Sequence, residues 1–182
     1  MKKIFAILAM VAATSAMADS ATVEYQNVNN IGAVDQKTGV VVVRHDFNST
    51  FTGDVQFSNT QTNESNALST RLEAGLTATQ PLVGSVSGYV RAAGGQKFTN
   101  TVASGYYSVE PGVSMPVTGA LSAKVGIRLR QATSDTVNDT THTVRAGVSY
   151  ALNKNDAVGL RFDRVRGDNT QNITALNYTR SF

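Results

Sequence analysis

The 182-residue chain contains no cysteine, no tryptophan and only 3 prolines. The absence of cysteine excludes a disulfide scaffold, a thiolate metal site and a cysteine nucleophile. Histidine is nearly missing as well, with 2 in the whole chain. The formal net charge is only +3, and Lys2 and Lys3 at the N-terminus supply most of that excess. Beyond them acidic and basic residues almost balance, and no basic patch with interleaved aromatics remains. Nucleic acid is therefore not an expected partner. Long hydrophobic runs are lacking too. Ile4 to Val11 is apolar but far short of the roughly 20 residues that a membrane-spanning helix needs.

That short run has a different meaning. Met1-Lys2-Lys3 forms a positive stretch, Ile4 to Val11 an apolar one, and Ala16-Met17-Ala18 a small-x-small site. Together they have the anatomy of a cleavable export signal over residues 1–18, leaving residues 19–182 as the exported domain. No cysteine follows the expected cleavage point, which argues against a lipid anchor.

What fills residues 19–182 is alternation with a period of two, the pattern of strands with two different faces. Leu121, Ala123, Val125, Ile127 and Leu129 fall on one face, against Ser122, Lys124, Gly126, Arg128 and Arg130. Val144 to Leu152 and Leu68 to Ala78 repeat the scheme. Turn-forming clusters such as Asn48-Ser49-Thr50, Pro81 to Gly84, Pro116 to Gly119 and Asn153 to Asp156 recur at nearly even intervals, alternating with looser polar connections. Ten strands are predicted, over 21–29, 38–47, 51–59, 68–79, 84–98, 102–115, 120–131, 141–152, 157–166 and 172–182. Eight would result if the first or third merged with a neighbour, and twelve would leave too few residues per strand.

Strands of about ten residues match the 9–11 tilted residues that cross a bilayer. Alternation of this kind also fits a soluble sandwich, but the strands are longer and more regular than most sandwiches use. Tyr25, Phe47, Phe51, Tyr150, Tyr178 and Phe182 are expected near one rim, where membrane barrels carry aromatic girdles. The expected fold is all-β: an up-and-down antiparallel transmembrane barrel with both termini on the periplasmic side.

The C-terminal segment places Leu176, Tyr178, Arg180 and Phe182 on one face and stops on an aromatic. It resembles the signal by which bacterial barrels are recognised for assembly. That resemblance implies a role for Leu176, Tyr178 and Phe182 in assembly and makes the barrel-assembly machinery a partner. Arg180 stands where that signal usually has an apolar residue. Tyr107-Ser108-Val109-Glu110-Pro111-Gly112-Val113-Ser114 and Val43-Arg44-His45-Asp46-Phe47 resemble strands of the oligogalacturonate-specific porin family. The family's barrels are monomeric, pass acidic oligosaccharides through an arginine-rich lumen and have twelve strands. The resemblance thus implies a reduced relative of the same general barrel type.

If the apolar face meets lipid, the other face lines the lumen. Arg44, Arg71, Arg91, Lys124, Arg128, Arg130, Arg145 and Arg161 then point inward, with Glu24, Asp46, Asp54, Glu73, Glu110 and Asp163 as acidic companions. Two readings stand open. Guanidinium groups lining a narrow passage attract small anionic solutes, or the charges pair across the lumen and fill it. Gly75, Gly126, Gly147 and Gly159 on the inward face favour the passage if they leave space, and serve equally to ease strand curvature. Arg164 and Arg166 would face outward, above the hydrocarbon zone, where charge costs about 0–1 kcal/mol.

Catalysis finds little support. His45 and His142 are expected at opposite ends of the barrel, and Ser134 to Asp139 lacks the spacing of a calcium loop. No cofactor or metal is expected. A surface-interaction barrel working through its loops is the alternative, although those loops are short and offer mainly Asn, Thr, Asp and Gln. The remaining expected surroundings are outer-membrane lipid and lipopolysaccharide, with the barrel a monomer.

Overall fold

The computed structural model describes residues 18–31, 34–62, 68–134, 139–168 and 170–182. The export signal expected over residues 1–18 lies outside these except for Ala18. So do Asn63-Glu64-Ser65 and most of the Ser134 to Asp139 loop.

Ten antiparallel strands make up the described chain: β1 (Ser20–Asn30), β2 (Gln36–Asp46), β3 (Phe51–Thr62), β4 (Leu68–Pro81), β5 (Ser87–Phe98), β6 (Ala103–Pro116), β7 (Leu121–Ala132), β8 (Thr141–Ala151), β9 (Asp156–Gly167) and β10 (Gln171–Ser181). Each pairs with its neighbours in sequence. The barrel closes where β1 meets β10, from Ser20 opposite Ser181 to Asn30 opposite Gln171. Closure leaves no free sheet edge, so the backbone groups of every strand find partners within the wall.

The expected strand bounds differ most, by three residues, at β3, which ends at Thr62 rather than at residue 59, and at β5, which starts at Ser87 rather than at residue 84. Gly84 takes a left-handed φ of 58°, and the turn is held by Leu82 N–H on Val86 O and Val86 N–H on Val83 O. Pro111 interrupts the wall from within. It has no N–H to give, and the β6–β7 pairing lapses between Val109–Leu129 and Gly112–Gly126. The connections at the two ends are more alike in length than their composition suggests. The β9–β10 link on the looser side is among the shortest, and only the β7–β8 link is clearly longer.

The alternation resolves into an inside-out protein. Leu72, Leu76, Val90, Ile127, Val144, Phe162 and Leu176 point outward and are 47–58 % exposed. In water such a continuous apolar belt would be an aggregation surface; against acyl chains it is the expected exterior of a membrane barrel. Polar side chains are the buried ones instead. Of the six rim aromatics, Phe47, Phe51, Tyr150, Tyr178 and Phe182 lie at the end that carries the termini. Tyr25 does not: it sits at the midpoint of β1, opposite Gly39 and Leu176.

Candidate functional site

The site is the lumen, and its content follows from strand register. On β4, Arg71 and Glu73 face inward; on β5, Tyr89, Arg91 and Lys97; on β6, Tyr106, Ser108 and Glu110; on β7, Lys124, Arg128 and Arg130. Cross-strand pairing sets these side by side, so that charges far apart in sequence meet across the barrel.

At the centre, Arg91 clasps Asp54 through two bonds, Nε to Oδ1 at 2.8 Å and Nη2 to Oδ2 at 2.5 Å. Its remaining nitrogen, Nη1, lies 2.8 Å from Glu73 Oε1. The other oxygen of Glu73 accepts from Arg128 Nη2, and Arg128 Nε also donates to Ser108 Oγ at 3.3 Å. Glu73 and Arg128 are only 2 % and 3 % exposed. On the opposite wall, Arg145 donates to Glu110 Oε2 at 2.8 Å and approaches Asp163 at 3.4 Å. Arg161 then joins Asp163 to Glu24, donating to them at 3.0 and 2.8 Å.

Toward the rim away from the termini, Arg71 and Arg130 share Asp139, at 3.0 and 3.9 Å. Asp139 lies outside the strands, just before β8, yet it is 2 % exposed. Sequence reasoning left it among loop acids. Its position at the end of the longest connection, level with two inward arginines, was the available signal. Two tyrosines were also missed. Tyr89 donates its hydroxyl to Glu110 at 3.2 Å and carries the Lys124 ammonium 3.8 Å above its ring. Tyr106 has the Arg130 guanidinium 4.7 Å from its ring centre, a cation–π contact.

The inward glycines do not leave the space expected of them. A Cβ on Gly75 would meet the Arg91 guanidinium, one on Gly126 the Tyr89 hydroxyl, and one on Gly159 the Asn177 amide. At Gly147 it would press on the Leu160 carbonyl, with the Arg161 stem beyond. Large side chains rest on bare backbone here, so these glycines seat the lumen's filling.

Six cations (Arg71, Arg91, Arg128, Arg130, Arg145 and Arg161) are thus matched to six acids (Glu24, Asp54, Glu73, Glu110, Asp139 and Asp163). Three inward cations have no acid within ion-pair distance among the described residues. Arg44 donates only to Thr22 Oγ1, at 3.2 Å; Lys124 lies on Tyr89; and Lys97, omitted from the sequence-based set, follows Arg91 by strict alternation. Asp46 is the exception among the expected lumen acids. It sits exposed at the terminus-side end of β2, where it accepts from Thr52 Oγ1 at 2.6 Å.

Two cavities flank the central ion pairs. One, of about 430 Å³, extends toward the far rim and is lined by Thr38, Thr60, Arg71, Lys97 and Arg130 among others. The second, of about 360 Å³, extends toward the termini past Arg44, Tyr89, Lys124 and Thr179. Both are bounded by Val40, Gln56, Arg145 and Arg161. The histidines stand apart from the lumen. His45 faces outward at one end, with Nδ1 3.1 Å from Asp19, and His142 faces outward at the start of β8, opposite Arg166.

A closed ten-stranded antiparallel barrel with an outward apolar belt and a charged interior has the architecture of porin-like outer-membrane barrels. No family model matches the chain, and no curated protein matches it in sequence. Solved structures do. The chain is similar to the KdgM porin solved in complex with disordered oligogalacturonate, at 13 % identity and a TM-score of 0.52, over 88 % of this chain and 99 % of that one. An outer membrane channel from Pseudomonas putida F1 matches at 12 % identity and 0.56, over 91 % and 95 %. The NanC porin matches at 7 % identity and 0.58, over 88 % and 100 %. These likenesses are of fold. They agree with the porin resemblance carried by Tyr107–Ser114 and Val43–Phe47, while this barrel has ten strands rather than twelve.

Proposed function

We propose that the protein is exported by cleavage after Ala18, inserts in the outer membrane as a monomer with both termini in the periplasm, and forms a narrow passive channel favouring small anions. The observation that carries this reading is the pair of cavities entering from opposite ends and sharing Val40, Gln56, Arg145 and Arg161 as common boundary. Only side chains separate them. The matched charges around that boundary largely cancel, so the surplus of Arg44, Lys97 and Lys124 sets the sign of the potential a solute meets. Rings of basic side chains attract anions without binding them tightly. Acidic oligosaccharides, the ligand class of one similar porin, are solutes to test beside chloride.

The test is electrical. Protein purified from bacterial outer membranes, inserted in a planar bilayer across a KCl gradient, is expected to show small steps with a reversal potential on the chloride side. Insertion without conductance overturns the channel. It favours the second reading, a side-chain-filled barrel acting as a structural or surface-interaction protein, for which the near-complete pairing of buried charges speaks. Fractionation of the producing cells tests the placement separately.

A further inference from the structure

The outward face of the barrel treats its charges differently at its two rims. At the terminus-side rim Arg180 lies 3.5 Å from Asp156 and His45 lies 3.1 Å from Asp19, while Lys154 in the β8–β9 turn has no acid within ion-pair distance among the described residues. Toward the far rim the outward strand positions carry Lys37, His142, Arg164 and Arg166 and, among the described residues, no acid; Asp35 and Asp168 stand in the adjoining links, where they accept from the Asn30 N–H at 3.2 Å and the Thr140 N–H at 2.8 Å. Arg166 stands opposite His142 across β8–β9, and Arg164 stands between Val144 and Asn172 in the same layers of the wall. Arg164 donates to Asn172 Oδ1 at 2.6 Å, a neutral partner that orients the guanidinium without neutralising it. Arg166 and His142 are exposed. Immediately beneath them the face becomes apolar, with Val144, Phe162 and Leu176 more than half exposed.

A cationic tier directly above an acyl-facing belt matches one ligand geometry: an anionic headgroup held above its own hydrocarbon tails. Arginine offers planar, fixed donors suited to phosphate oxygens. Arg164 and Arg166 are two residues apart on one strand, about 7 Å along it, so two guanidinium groups can share one phosphorylated headgroup. Phe162, two residues below Arg164 on the same face, supplies the contact for the tails.

We infer that Arg164 and Arg166, with His142 beside them, form a binding site for the phosphorylated headgroup of an outer-leaflet glycolipid, the lipopolysaccharide of that membrane. The inference rests on the outer-membrane placement proposed above, and not on whether the lumen conducts. The patch lies on the outside of the wall, so its ligand stays in the bilayer and never enters the channel.

The experiment uses the full-length protein purified in detergent and titrated with diphosphorylated lipid A, with the same lipid after phosphate removal, and with inorganic phosphate as competitor. Binding of the phosphorylated lipid is expected to weaken roughly tenfold in R164Q/R166Q, since each basic residue near an anionic lipid surface contributes measurably. R180Q at the other rim should bind like the wild type. Heat-dependent gel migration reports that each variant is folded; should the double variant fail, the exposed Arg166→Gln alone should give a smaller loss in the same direction. Equal binding of the dephosphorylated lipid, or unchanged binding by the folded variants, overturns the site. Displacement by millimolar inorganic phosphate assigns it to a free anion and overturns the headgroup. A protein that conducts yet ignores lipid phosphate sinks this inference alone; one that binds it but is electrically silent sinks only the channel.

Discussion

Asp139 accepts a hydrogen bond from Arg71 at 3.0 Å although 68 residues separate them in sequence, and through this contact an acid outside the strands enters the lumen. It also lies 3.9 Å from Arg130. One carboxylate therefore cancels much of the charge of two arginines lining the far cavity. Asp139→Asn is expected to leave the barrel folded, shift the reversal potential further toward chloride and raise conductance. The shift should shrink between 0.1 and 1 M KCl, because the screening length falls from about 10 to about 3 Å. An unchanged reversal potential at low salt would show that the far cavity does not set selectivity.

The complementary change removes surplus charge from the other cavity. Arg44→Gln with Lys124→Gln takes away two cations that have no acid within ion-pair distance among the described residues, so no ion-paired carboxylate is left stranded. Stability should change little, while the preference for chloride falls toward that of bulk solution. Bi-ionic potentials in KCl read this directly.

Glu73 is the most deeply placed acid of the central cluster, touching both Arg91 and Arg128. Glu73→Gln strands Arg128, whose one acidic partner within ion-pair distance among the described residues is Glu73, whereas Arg91 keeps Asp54. Removing one member of a buried pair costs about 3–5 kcal/mol. The urea midpoint of the folded, fast-migrating gel band should fall accordingly. Arg130→Gln, which breaks a long contact to Asp139 and a cation–π contact with Tyr106 but strands no buried partner, should lower it less.

Gly126 gives a packing test. A methyl group there collides with the Tyr89 hydroxyl, which is bonded to Glu110. Gly126→Ala is expected to cost about 1–3 kcal/mol, as overpacking does, and Tyr89→Phe in the same chain should recover part of the loss, because the hydroxyl is the atom in the way and the ring carbon behind it stands 3.3 Å off. Tyr89→Ala with Gly126→Ala should relieve the collision, at the separate cost of lost packing.

Deleting Phe182 tests the assembly signal. Its side chain is 58 % exposed, and its N–H bonds Asp19 O at 3.0 Å, so the folded barrel loses little. Assembly in cells should nonetheless fall severalfold, while refolding into detergent stays near normal. Equal losses in both would assign Phe182 to stability instead.

The strands and their two faces were legible in the sequence because a two-sided wall imposes a period of two on every segment. Leu121 to Arg130 shows it plainly, and the inward list from Arg44 to Arg161 follows from it. Bounds slipped at the left-handed Gly84, where backbone conformation and not hydropathy decides, and at the end of β3, which runs on to Thr62. Lys97 was legible by counting from Arg91.

What the linear pattern determined is which side chains face inward, because facing depends only on parity along a strand. Which inward charges meet was decided by tertiary structure, since pairing depends on the register of neighbouring strands and on distances across a closed barrel. Nothing in the order of residues joins Glu73 to Arg128, or sets Tyr89 on Gly126. Asp139 lies just before β8 on that strand's inward parity, but its place beside Arg71 exists only because the wall closes around it.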